Sequence, residues 1–348
     1  MSSPQRTVPR DVLLDVARGL AMVAVVLGHV LGGLADAGIG GGYQPWTAWA
    51  TRLLYLTHLP VFAFVTGLLA PRGVERLGRA AYLRNRLTLL AYVYVLWTLI
   101  EGSVEVLTSR WKNHPTTWAN VFSLWVPIGH LWFIPTLMVA TCAIAVVRPW
   151  RRSPLSWLGL LVSAVAGLAA WGWGYPLAGA SGGALILWFM AGAFVGFEPV
   201  VQAIRRLNGA TLLAVAGLAT AALVTVAGLP GVTTPTVVDP ARTPASVALG
   251  IVGSVAGAAA VLAISGLAAR SDSPPTRLLA HLGRMSLQIY LAHIIFASGA
   301  RVLLGGLGVD SLPIHLVVGL LAGVSGPLLL VLATRSLPWL FAPPWQGR

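Results

Sequence analysis

Asp15, Arg18 and His29 lie within one otherwise apolar stretch, Asp11 to Leu34. Each type has a chemistry of its own. A neutral imidazole, with an ordinary pKa near 6.5, can take a proton from a hydroxyl at neutral pH. A guanidinium suits a phosphate or diphosphate, and a carboxylate one turn away can orient it. At about 100° per residue, Arg18 and His29 differ by only about 20° around a helix, and Asp15 falls within roughly 60° of Arg18. One helix face therefore carries all three. At about 1.5 Å per residue, Arg18 and His29 stand roughly 16 Å apart along the axis, too far to pair. The pattern is a polar track, not a local ion pair. The alternatives are a core histidine satisfied by a neighbour, and an arginine that pairs with Asp15 or snorkels to headgroups.

Further candidates are spread along the chain. His58 is a contact to a substrate, a support for His29, or a structural hydrogen bond. Glu101 and Glu105 are four apart and share a helix face; either orients His29 or binds hydroxyls, and Glu105 is also explained by simple solvation. His130 and Trp132 open a later apolar run, where an aromatic ring either anchors at a membrane interface or stacks on a sugar. Ser286, Tyr290 and His293 share one side of a late helix and read as packing hydrogen bonds. Arg301 could neutralise an acidic substrate or a headgroup. The seven histidines show no metal-ligand spacing such as His-x-x-x-His, so no metal is expected. No glycine-rich phosphate loop precedes a lysine; the one lysine is Lys112.

The elements that position these groups follow from composition. Of 348 residues, 57% are hydrophobic and only 9% charged, against about 25% charged in a soluble domain. An all-α polytopic membrane protein is expected. Ten apolar segments approach the length needed to cross about 30 Å of hydrocarbon: 12–34, 53–70, 86–107, 130–148, 155–171, 183–198, 210–229, 246–268, 285–304 and 313–334. Pro71-Arg72-Gly73, Arg148-Pro149, Pro230-Gly231 and Pro274-Pro275 mark breaks. With both termini cytoplasmic, most of the 23 lysines and arginines fall on the inner side, Arg6, Arg10 and Arg348 among them. Arg52, Arg110, Lys112, Arg242 and Arg301 fall outside. That is the positive-inside asymmetry, and it explains the net charge of +13 without nucleic acid. The amino terminus reads as an uncleaved first span, because Asp15 and Arg18 interrupt the apolar run. A lone Cys142 excludes an internal disulfide. The whole chain, 1–348, is expected to be a single transmembrane domain with no appended soluble domain.

The residues Asp15-x-x-Arg18-Gly19 followed by Gly28-His29 resemble the first-span signature of the acyltransferase-3 family, integral membrane O-acyltransferases. Further stretches resemble that family in its own order. They are Thr57 to Gly67 (THLPVFAFVTG), Arg84-Asn85-Arg86, His130 to Pro135 (HLWFIP), and Leu282 to His293 (LGRMSLQIYLAH). The matches run from about residue 10 to 295, and the nearest branch is that of fucose O-acetylases. The departures are Thr57 and Thr66, and a basic cluster that reads Arg76-x-x-Arg79 and Arg84-x-Arg86.

The resemblance implies transfer of an acetyl or other acyl group from acyl-CoA to a hydroxyl of a carbohydrate or small-molecule acceptor. No cofactor is bound permanently. It further implies that the donor arrives from the cytoplasm. On their own chemistry, Arg18 (oriented by Asp15), Arg84 and Arg86 are then the candidates for its phosphates, His29 for the base with His58 and Glu101 as candidates to assist it, and His130, Trp132 and Arg301 for contacts to the acceptor. A covalent acyl-histidine variant stays open. The expected setting is the inner membrane of a bacterium, with lipid as a partner. The rival reading is a transporter or flippase, since intramembrane Arg, His and Asp also suit a carrier; the absence of paired broken helices in repeated halves argues against it.

Overall fold

The computed structural model describes residues 11–111, 116–174 and 177–345. Arg6, Arg10, Lys112, His114 and Arg348 lie outside the described residues. Among those described there is no strand. The helices are α1 (Val12–Asp36), α2 (Pro45–Leu77), α3 (Arg79–Leu107), α4 (Trp118–Phe122), α5 (Phe133–Val147), α6 (Pro154–Ala169), α7 (Leu185–Val195), α8 (Phe197–Arg206), α9 (Gly209–Gly228), α10 (Pro244–Ala268), α11 (Pro274–Arg284), α12 (Ser286–Gly306) and α13 (Leu312–Ala333).

Eight helical segments among the described residues are long and apolar enough to span, or nine if α7 and α8 form one span bent by 76°. The difference from ten has local causes. The segment after Arg152 gives only the 16 residues of α6, short of the roughly 20 needed. The next is broken at Gly196, whose φ of 81° ends α7 and lets α8, with Glu198, Arg205 and Arg206, turn away. Pro71 does not end its helix: α2 runs through Pro60 and Pro71 to Gly78. Pro274-Pro275 opens the short amphipathic α11 instead of a span, as proline does at a helix N-terminus.

α1 is the hub, packing on α2, α10, α11, α12 and α13. Asp11 caps it by accepting from the Leu13 amide at 3.0 Å. Val16, Ala17, Ala21 and Val26 are wholly buried along it. Beside Arg18, α1 and α11 touch through reciprocal glycines. A Cβ on Gly19 would overlap the Leu279 carbonyl, and one on Gly283 the Asp15 carbonyl. Backbone thus meets backbone where the inner polar residues sit. Gly283→Val is expected to lower stability by about 3 kcal/mol, the upper end for overpacking, seen as a drop in unfolding temperature of the detergent-solubilised protein. No drop would mean the two helices are free to separate here.

Candidate active site

At the inner end of α1, Asp15 and Arg18 line a cavity of about 340 Å³ with Arg72, Arg76 and Arg86. Acidic groups pair with part of the basic lining. Arg284 approaches Asp15 at 3.7 Å. Arg72 donates from Nε and Nη2 to Glu198 Oε1 at 2.9 and 2.6 Å and lies 3.3 Å over the Phe197 ring. Arg84 is exposed and lines none of the cavities described here. It stands two residues from Arg86, and residues two apart on a helix do not share a face. Arg72 and Arg76 of α2 line the inner cavity together with Arg18 and Arg86.

Arg18, Thr66 and Arg86 are also walls of a second, mostly apolar cavity of about 190 Å³. Met22, Phe62, Leu90, Ile134 and Ser286 also line it. Its wall residues Val25, Leu59, Phe133 and Tyr290 belong in turn to a third cavity of about 290 Å³. His29, His58, His130 and Trp132 face this outer space. Three cavities therefore share walls in series from the arginines to the histidines.

Four histidines dispersed in the sequence converge here. The His29 ring centre is 5.8 Å from that of His130 and 5.1 Å from that of His293, and His130 and His293 are 4.7 Å apart. Gly129, with φ of 48°, turns the chain so that His130 enters the core, 4% exposed. The His130 ring is held at Nε2, and its Nδ1 has no hydrogen-bond partner among the described residues. Nε2 lies 2.8 Å from the Tyr290 carbonyl; a carbonyl only accepts, so Nε2 carries the hydrogen. Nδ1 faces Glu101 Oε1 at 3.4 Å. The Tyr290 hydroxyl donates back to the His130 carbonyl, a clasp between the α5 entrance and α12. Glu101 is 1% exposed, and its Oε2 has no hydrogen-bond partner among the described residues.

Glu101 thus faces His130, where the sequence suggested that it orients His29 or binds hydroxyls. Glu105, one turn on, is half-exposed. His130→Leu would remove the Nε2 bond to the Tyr290 carbonyl, which keeps its His293 Nδ1 donor, and would set an apolar side chain against Glu101, an expected loss of about 1–3 kcal/mol, read as a lower unfolding temperature; an unchanged value would show that the contact carries no stability.

His58 is buried, edge-on to Tyr55 at 4.9 Å. Trp132 backs onto Gly182, where a Cβ would overlap its ring. The outer wall comes from Thr236, Val237 and Val238 in the α9–α10 connection. That connection is strapped down: the Asp239 amide donates to the Gly172 carbonyl at 2.9 Å, and Arg242 donates to the Ala169 and Trp171 carbonyls at 2.8 and 2.5 Å. Sequence reasoning missed this wall; it named Tyr290 and His293 as packing hydrogen bonds, which both make to backbone carbonyls, but it did not bring them to the His29 cluster.

Arg301 lies apart from the outer cavity, within electrostatic reach of Asp36. Asp36 also accepts from the Tyr43 hydroxyl at 2.5 Å, and that bond pushes the Tyr43 phenol up to about 12. Among the described residues no group of three or more His, Cys, Asp or Glu has the geometry to hold a metal ion.

The family model of an acyltransferase domain matches residues 11–332, nearly the whole chain. The chain belongs to the acyltransferase-3 family. A match of this extent to an acyltransferase domain counts against the carrier reading. The chain is also similar to the nodulation protein NolL of Mesorhizobium japonicum, at 25% identity over 156 residues, 43% of this chain and 39% of that protein. The chain therefore spans about two-fifths of that relative's length. No solved structure matches.

Proposed function

We propose that this acyltransferase is an O-acyltransferase that moves an acetyl or other acyl group from acyl-CoA to a hydroxyl of a sugar, a glycan or a similar small molecule. The observation that carries this reading is the series of three cavities joining Arg18 to His29 through shared walls. Guanidinium groups at one end suit the phosphates of coenzyme A. The apolar middle suits a pantetheine arm, and the roughly 16 Å between Arg18 and His29 is compatible with its length. Trp132 offers a face on which a sugar ring can stack.

In the reaction, a ring nitrogen of His29 takes the proton of the acceptor hydroxyl as its oxygen attacks the thioester carbon. The carbon–sulfur bond then breaks, and the leaving thiolate takes the proton back from the imidazolium. No hydrogen bond engages the His29 ring nitrogens among the described residues, so a lone pair is available without breaking a contact. His130, Trp132 and the Thr236–Val238 wall stand where the acceptor would lie. Arg301 would act on the acceptor only at the outer rim. The arginine distribution supports cytoplasmic termini in a bacterial inner membrane, with the donor end inside.

The test is incubation of membranes with labelled acetyl-CoA, with mass spectrometry of cell-envelope glycans and extracted small molecules from cells with and without the gene. An acetyl mass increment that depends on the gene is expected. Its absence in every fraction, with the protein present, would overturn the reading.

A further inference from the structure

His293 is fully buried at the middle of the histidine cluster, yet the mechanism above gives it no part. Its Nδ1 lies 2.8 Å from the Tyr290 carbonyl and 3.1 Å from that of Ile289. Both are acceptors only, so Nδ1 carries the hydrogen and Nε2 of the neutral ring is a bare lone pair. That Nε2 is buried with no hydrogen-bond partner among the described residues. An unmet acceptor in such a place calls for a donor.

Two rings are near enough to supply one. His130 is spent as a donor: its Nε2 hydrogen goes to the Tyr290 carbonyl, and its Nδ1 faces Glu101 without a hydrogen bond. His29 is not: its ring centre is 5.1 Å from that of His293, at an interplanar angle of 51°. Two imidazoles joined by one N–H···N bond, with nitrogens about 2.9 Å apart, have centres about 5 Å apart. The separation is already right, and only the orientation of the His29 ring must change.

We infer that His293 is the positioning residue for His29: its Nε2 accepts the N–H of the His29 ring, which leaves the other His29 nitrogen bare and turned to the acceptor. The inference rests on His29 being the base. It follows the logic by which a base is held by a third group that fixes its tautomer, here with a neutral acceptor in place of a carboxylate. The Tyr290 and Ile289 carbonyls fix the tautomer of His293 in turn. A proton taken by His29 then stays shared along an N–H···N bond until the thiolate collects it.

Two substitutions separate this role from mere packing. An Asn side chain places its amide near the Nδ1 position, and so keeps the bond to the Tyr290 carbonyl while losing the acceptor at Nε2. A Gln side chain reaches the Nε2 position and restores an acceptor there. The probe is acetyl-CoA with water as acceptor, followed as release of free coenzyme A thiol by the purified full chain in detergent. For His293→Asn, kcat is expected to fall about 10- to 100-fold with the Michaelis constant for acetyl-CoA unchanged. His293→Gln is expected to keep kcat within about threefold of wild type, since the acceptor is restored. The reverse order, Asn active and Gln inactive, overturns the inference in favour of a structural bond to Tyr290. Equal rates or equal losses in the two variants overturn it as well. A wild-type rate no greater than that of His29→Ala refutes the base assignment itself, which separates the two failures.

Discussion

His29→Ala is expected to lower kcat for acyl transfer by about 10²–10⁴-fold, the range for loss of a positioned general base, while the Michaelis constant for acyl-CoA stays the same. The two halves of this outcome come from different ends of the molecule. The donor's phosphates are proposed to sit with Arg18, Arg72, Arg76 and Arg86, which the substitution leaves untouched. The chemistry is proposed to occur in the outer cavity, where His29 stands with His58, His130 and Trp132. The fold is expected to survive. His29 lines a cavity, and the one buried group that its truncation leaves unmet on the reading above is the His293 Nε2 acceptor, which a water entering the vacated space can serve. Purified wild type and variant should therefore unfold at nearly the same temperature. Near-normal kcat in His29→Ala would sink the general-base assignment; a large fall in unfolding temperature would mean that the ring is structural.

Arg18→Ala is expected to raise the Michaelis constant for acyl-CoA and the dissociation constant for free coenzyme A by about 10- to 100-fold, given roughly 1.5–3 kcal/mol for a hydrogen bond to a charged partner. The effect should shrink as salt rises, because screening weakens charge pairing at a cavity open to water. Arg18 is singled out because it lines both the basic inner cavity and the apolar middle one. It is placed to hold the donor where its phosphates end and its arm begins. Arg18→Lys should recover only part of the loss, since an ammonium keeps the charge but not the planar fork. Arg84→Ala is the internal control: Arg84 is exposed and outside the cavity lining, and coenzyme A affinity should not change. Calorimetric titration of coenzyme A into the detergent-solubilised variants reads all three. Equal weakening by Arg84→Ala and Arg18→Ala would replace a defined donor site with a general basic surface.

Much of this site is legible in the residues alone because a helix converts spacing into angle and depth. Asp15, Arg18 and His29 share a face by arithmetic, and an ionisable face on an apolar helix cannot turn to lipid. The same arithmetic made α1 the organising element, and it is the helix on which α2 and α10 to α13 pack. The family signature at Arg18 and His29 was readable too, and the family match over residues 11–332 agrees with it.

Tertiary structure decided how the helices turn toward one another, which the period of a single helix does not encode. It gave Glu101 to His130, brought Tyr290 and His293 from α12 beside His29, and folded the α9–α10 connection over the outer cavity. It set Arg72 and Arg76, not Arg84, beside Arg18. It also bent the chain at Gly196 and left α6 short. The reason is common to all of these: the azimuth of a residue on its own axis is local, whereas the rotation of that axis against its neighbours is set by close contacts such as Gly19 with Leu279 and Gly283 with Asp15, which join residues more than two hundred positions apart in the chain.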